Sequence, residues 1–207
     1  MRKFALIFLL AMPALSGHAK AEANRPYIEF NANYLQNLEN KSTGAVNPNN
    51  AADNTLKVTF EPMTGLGGEI GIKNIQDSGF RLAATAEFAT INPKTLKFSG
   101  TGGSSSVNVS GTAKDDAAVY KFKGYYDFEI SKSAELFLGA ALGVIDNNGD
   151  TDPATAAILG VNFKLNEHIY FGVKGEYAYL FTGKNRGGVS SEDVQTLIVG
   201  INLGYVF

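Results

Sequence analysis

The chain has 207 residues, a formal net charge of −2 and no cysteine, which excludes a disulfide scaffold and any basic field that would draw nucleic acid. Charged residues make up only 18%, glycines number 23, and no apolar run reaches the roughly 18 residues of a membrane-spanning helix. A mean hydropathy of −0.05 fits a soluble protein, and it fits equally well a transmembrane barrel whose strands are half apolar.

At the N-terminus, Arg2 and Lys3 precede an apolar run from Phe4 to Leu15, and Ala19-Lys20-Ala21 supplies a small-residue cleavage site. This pattern predicts a secretory signal peptide over residues 1–21, cut after Ala21 or alternatively after Ala19. Residues 22–207 then form one exported domain with no internal linker.

Period-2 alternation recurs eight times along that domain, which predicts eight strands with one apolar face each. The first runs from Tyr27 to Leu35, with Ile28, Phe30, Ala32 and Tyr34 opposed to Glu29, Asn31 and Asn33. The second is expected over Leu56 to Ile72, the third over Phe80 to Thr90 and the fourth over Ala118 to Ile130. The fifth covers Ala134 to Val144, the sixth Ala154 to Leu165 and the seventh Ile169 to Phe181. The eighth is "TLIVGINLGYVF", residues 196–207, where Leu197, Val199, Ile201, Leu203, Tyr205 and Phe207 share one parity. Expected connections alternate: long over 36–55, 92–117, 146–153 and 182–193, short near 73–79, 131–133 and 166–168.

Two architectures compete for this pattern. A soluble sandwich or lipocalin-like barrel would turn the apolar face inward and leave a densely charged face in water. The second face here mixes glycine, alanine, small polar residues and charges of both signs, which suits a narrow, filled lumen. Strands of about 9–13 residues match the ~9–11 tilted residues that cross a bilayer. The reading is an all-β fold: an eight-stranded antiparallel up-and-down transmembrane β-barrel. Lipid offers no hydrogen bonds, so the sheet must close, the last strand pairing with Tyr27–Leu35. Both chain ends and the short turns then face the periplasm, and the longer loops face outward.

The segments "GINLGYVF" (200–207), "FEPMTGLGGEIGIKN" (60–74) and "YKFKGYYDFEISKSAELFLGAALGV" (120–144) resemble those of the porin-like surface antigen family of small outer-membrane barrels. That family includes opacity-type and OmpA/OmpX-like eight-stranded proteins. The resemblance implies residence in the outer membrane of a Gram-negative bacterium, among its lipid and lipopolysaccharide. It also implies that Tyr205 and the terminal Phe207 form a signal read by the barrel-assembly machinery.

Four segments carry residues suggestive of chemistry. His168 is the one histidine of the mature chain; it falls in a short turn without the serine and carboxylate of a lipid-deacylating triad. "DNNGDTDP" (146–153) spaces Asp146, Asn148, Asp150 and Asp152 like a calcium loop, but Thr151 stands where glycine is required and Ala157 where the bidentate glutamate belongs. The Gly/Ser-rich stretch 98–116 reads as a flexible exposed loop, and Lys184 and Arg186 as solvated charges in the last outer loop. No catalytic residue, cofactor or metal ligand is assigned.

The face opposite the apolar one holds the most physical content. By parity, Glu29, Glu61, Glu69, Glu87, Asp127, Glu129, Glu135 and Glu176 point inward, as do Lys57, Arg81, Lys121, Lys123 and Lys174. Charges in a narrow lumen must pair, so Glu69, Arg81, Glu87, Lys121, Asp127, Lys174 and Glu176 are expected to form an ion-pair network with Arg81 as its hub. The functional expectation is a surface protein with a structural or interaction role, meeting an extracellular ligand through its outer loops. A narrow porin-like channel for ions or small solutes is the alternative, and a lipid-modifying enzyme the third reading.

Overall fold

The computed structural model describes residues 24–39, 41–44, 55–60, 62–76, 78–91, 93–100, 103–108, 115–147, 150–181, 185–186, 189–191 and 194–207. The expected signal peptide and Glu61 lie outside the described residues. Eight long strands close into one barrel: β1 (Arg25–Glu39), β4 (Met63–Ile75), β5 (Phe80–Ile91), β8 (Asp115–Ser131), β9 (Ala134–Asn147), β10 (Asp150–Lys164), β11 (Ile169–Leu180) and β14 (Val194–Val206). Around the wall the order is β1-β14-β11-β10-β9-β8-β5-β4, returning to β1, and each pairing is antiparallel. Closure runs from Tyr27 opposite Val206 to Leu35 opposite Ile198, so neither terminal strand keeps a free edge.

Side chains alternate across this wall in an inverted sense. On β11, Tyr170, Gly172, Lys174, Glu176 and Ala178 are buried, while Phe171, Val173 and Tyr177 are exposed. Phe30 is 63% exposed, Leu66 69% and Leu142 67%, whereas Lys123 and Glu69 are 0% exposed. Water would not tolerate so continuous an apolar exterior, and hydrocarbon would not tolerate the opposite arrangement. The charged residues are buried because they line a lumen too narrow for anything but side chains.

Rings fill that lumen by lying against glycines on the paired strand. Tyr27 faces Gly71, Tyr125 faces Gly139, Phe137 faces Gly160 and Tyr170 faces Gly204 in direct register. At Gly204 a Cβ would stand 2.1 Å from Tyr170 Cζ, so only glycine leaves room for that ring. The tight β4–β5 turn is closed in the left-handed region by Asn74, Gln76 and Gly79, with φ of 55°, 52° and 74°.

The remaining strands form a second sheet at the long-loop end: β2 (Lys41–Gly44), β3 (Thr55–Phe60), β6 (Pro93–Gly100), β7 (Gly103–Asn108), β12 (Asn185–Arg186) and β13 (Val189–Ser191), in the order β12-β13-β2-β3-β6-β7. This corrects several expectations. The predicted strand Leu56–Ile72 is two elements: β3 belongs to the outer sheet, and the barrel wall begins at Met63. Lys57 therefore sits in the outer sheet and takes no place in the lumen. Within the Gly/Ser-rich stretch 98–116 the described residues are strand, with β6 and β7 paired from Thr95–Asn108 to Gly100–Gly103. Serine, threonine and glycine signal loops when read singly, but backbone pairing does not depend on them.

The expected long loop 146–153 is a hairpin instead. β9 and β10 stay in register through Asn147 opposite Asp150, which places Asp146 opposite Thr151 and Asp152 opposite Ile145 on neighbouring strands.

Candidate functional site in the barrel lumen

The lumen is occupied by two connected groups of charges. The first is centred on Glu69 of β4. Its carboxylate accepts hydrogen bonds from Tyr27 Oη at 2.5 Å, Tyr125 Oη at 3.0 Å and Thr85 Oγ1 at 3.1 Å, and pairs with Lys123 Nζ at 3.2 Å. Lys123 reaches on to Glu87 at 3.4 Å, Lys121 pairs with Glu87 at 3.3 Å, and Lys121 also donates to Glu176. The result is an alternating chain of Glu69, Lys123, Glu87, Lys121 and Glu176 across β4, β8, β5 and β11.

The second group surrounds Arg81 of β5, which is 1% exposed. Its guanidinium carbon lies 4.0 Å from the ring centre of Tyr125, 4.9 Å from Phe137 and 5.5 Å from Tyr27. The nearest carboxylate is Asp127 at 3.1 Å, and Glu29 follows at 3.9 Å. Glu29 accepts from Tyr170 Oη at 2.8 Å and Asn202 Nδ2 at 2.9 Å, and Lys174 stands 4.0 Å away while donating to Asn31 Oδ1. Arg81 thus works through a stack of rings more than as a collector of carboxylates. Glu69 is the group on which most donors converge. Parity cannot see this, because it sorts residues by face and not by height along the barrel.

Of the residues expected to share a network, Glu69, Glu87, Lys121 and Glu176 lie in the first group and Arg81, Asp127 and Lys174 in the second. Parity also predicts an inward Glu129, and here the structure differs. The Glu129 side chain is 66% exposed, because at the end of β8 the lumen has opened into solvent; it faces Lys164 at 3.9 Å. Sequence reading passed over Lys73, which donates to Glu135 and lies 3.8 Å from Asp127, and over the inward rings Tyr27, Tyr125, Phe137 and Tyr170. The signal for both was parity: Lys73 shares that of Glu69, and Tyr27, Tyr125, Phe137 and Tyr170 share those of Glu29, Lys123, Glu135 and Lys174.

At the short-turn end Lys73, Asp127, Glu135 and Tyr170 line a vestibule of about 1110 Å³. His168 stands on its rim, its Nδ1 2.9 Å from the Val206 carbonyl and its ring stacked on Tyr205 at 5.7 Å. Tyr205 packs edge-on against Phe207 at 5.1 Å, and the Phe207 amide donates to the Pro26 carbonyl at 2.9 Å, sealing the last strand to the first. Among the described residues, no group of three His, Cys, Asp or Glu could hold a metal ion.

A family model described as an outer membrane protein beta-barrel domain matches residues 4–207. Among curated proteins no sequence matches. Solved structures that share the architecture include the following two. Neisserial surface protein A aligns over 88% of this chain and 97% of its own, with 14% identity and a TM-score of 0.54. The outer membrane protein OprG from Pseudomonas aeruginosa aligns over 90% and 97%, with 15% identity and a TM-score of 0.60. At such identities the likeness is one of fold.

Proposed function

Because the chain belongs to the outer membrane protein beta-barrel family, we propose that it is a closed, non-conducting surface barrel whose role is to present its outer sheet to molecules outside the cell. The observation that carries this reading is Arg81, 1% exposed and stacked among Tyr27, Tyr125 and Phe137 across the lumen. A ring stack around a paired guanidinium leaves no file of water for an ion to follow. The lumen charges act as an internal brace, and the wall lies in outer-membrane lipid beside lipopolysaccharide. Tyr205 and Phe207 serve the barrel-assembly machinery, a role supported by their exposed position on the closing strand.

Planar bilayers test it. Purified protein should give no steady single-channel current, and Arg81→Ala should introduce brief openings. A large, stable conductance from the unmodified protein would replace this reading with that of a narrow solute channel.

A further inference from the structure

The vestibule at the short-turn end has a charge layout that the deeper lumen lacks. Arg25 of β1 stands directly opposite Lys73 of β4, and Glu129 of β8 stands directly opposite Glu135 of β9. All four residues line the cavity. One wall thus carries two cations side by side, and another carries two carboxylates side by side. Deeper in the lumen the signs alternate instead, from Glu69 through Lys123, Glu87 and Lys121 to Glu176.

Like charges directly opposite one another destabilise a sheet. The inner member of each pair is answered across the cavity: Lys73 donates to Glu135, which also pairs with Lys164 at 2.7 Å. The outer members are treated differently. Glu129 faces Lys164 at 3.9 Å, beyond hydrogen-bond distance, and its side chain is 66% exposed. Arg25 donates from Nη2 to the backbone carbonyl of Glu167 at 3.0 Å, a neutral acceptor. The cavity therefore presents a guanidinium on one wall and a carboxylate on another.

The floor adds an acceptor. The Asp127 side chain lines the cavity and is 7% exposed, and neither of its oxygens accepts a hydrogen bond from the described residues, although Arg81 Nη2 lies 3.1 Å from one of them. Such a carboxylate keeps lone pairs for an N–H donor that enters. Size and span narrow the ligand further. A volume of about 1110 Å³ has room for a small organic molecule. Arg25 and Glu129 are three strand spacings apart, β1 to β4, β4 to β5 and β5 to β8. At ~4.8 Å per spacing that is about 14 Å of wall. A single amino acid carries both charges at one carbon and cannot meet both walls. An extended tripeptide spans about 10 Å, and the inward side chains cover the rest.

We propose that this vestibule binds a short zwitterionic peptide, with its carboxylate on Arg25, its ammonium on Glu129 and its N–H groups turned toward Asp127. In an outer-membrane barrel whose long connections face outward, the mouth of this cavity opens to the periplasm. The ring stack around Arg81 lies deeper, so the peptide is held and not passed through. Bilayer current reports on that ring stack, and peptide binding reports on the vestibule alone.

The test uses the full exported chain folded in detergent micelles, titrated calorimetrically with tri-alanine. Saturable binding is expected, and it should weaken as salt screens the partly exposed charges. N-acetyl-tri-alanine lacks the ammonium and tri-alanine amide lacks the carboxylate. Each should bind at least about ten-fold more weakly, the equivalent of about 1.4 kcal/mol, and free alanine should lose a similar factor. Arg25→Gln should abolish the preference for tri-alanine over its amide, and Glu129→Gln the preference over its acetylated form. Arg25→Lys and Glu129→Asp should retain both preferences. Each variant is first checked for the folded barrel by its altered migration without boiling, and the capped peptides test the unmodified protein even if a variant does not fold. Absence of saturable tri-alanine binding overturns the proposal. So does equal binding of either capped peptide or of free alanine, and so do preferences unchanged in Arg25→Gln and Glu129→Gln.

Discussion

The lumen and the outer sheet are both rich in lysine, and they treat it in opposite ways. Inside the barrel Lys123 stands between Glu69 at 3.2 Å and Glu87 at 3.4 Å, and Lys121 between Glu87 and Glu176. In the outer sheet Lys57 stands between Lys41 and Lys97. A charge removed from water costs several kcal/mol unless a partner replaces its hydration, so lumen charges must close on one another. The lumen charges therefore stabilise the barrel.

The largest break in this comparison should come from Lys123→Ala. It strands Glu69 and Glu87 in the lumen and should lower the unfolding free energy by about 3–5 kcal/mol. Urea titration of the micelle-folded barrel, followed by tryptophan-free far-UV circular dichroism, measures it. A loss under 1 kcal/mol would mean that water enters and rehydrates the carboxylates.

One residue away from Lys174 on β11, Val173 is 45% exposed and faces lipid. Val173→Lys should cost about 2–4 kcal/mol in a bilayer if the site lies near its midplane. Refolding yield into lipid vesicles, compared with micelles, reads this penalty; equal yields in both would take Val173 off the lipid face.

Gly204→Ala drives a methyl group into Tyr170 and loosens its hydrogen bond to Glu29. The expected cost is about 1–3 kcal/mol. Adding Tyr170→Ala should remove most of the extra cost, so the two losses should be clearly less than additive in a double-mutant cycle.

The smallest effect is expected at Lys57. Lys57→Gln should change barrel stability by no more than about 0.5 kcal/mol, because its strand pairs in the outer sheet and not in the barrel wall. A loss comparable to that of Lys123→Ala would show that the outer sheet is coupled to the brace and would erase the contrast between the two regions.

The positions of the eight wall strands were legible in the alternation of residues, most clearly in β11 and β14, where buried and exposed side chains follow one another without interruption. The fragment Thr55–Phe60 was misread as wall because it continues the parity of Met63–Ile75, and parity carries no information about which sheet a strand joins. The outer sheet was missed for a related reason. Its strands are short and rich in serine, threonine and glycine, and they exist through pairing with segments as far as about 150 residues away in sequence, such as Ser42 with Ser191.

By itself, the sequence determined which side chains share a face, because that follows from the two-residue repeat of an extended chain. It also pointed the apolar face toward lipid, because the opposite face mixes glycine, alanine, small polar residues and charges of both signs and is not charged densely enough to be an outer surface in water. Tertiary structure alone decided who pairs with whom. Closure brings Glu69 of β4 against Lys123 of β8, and register sets Lys41, Lys57 and Lys97 side by side. Height along the barrel and register between strands are properties of the closed sheet. No single strand contains them.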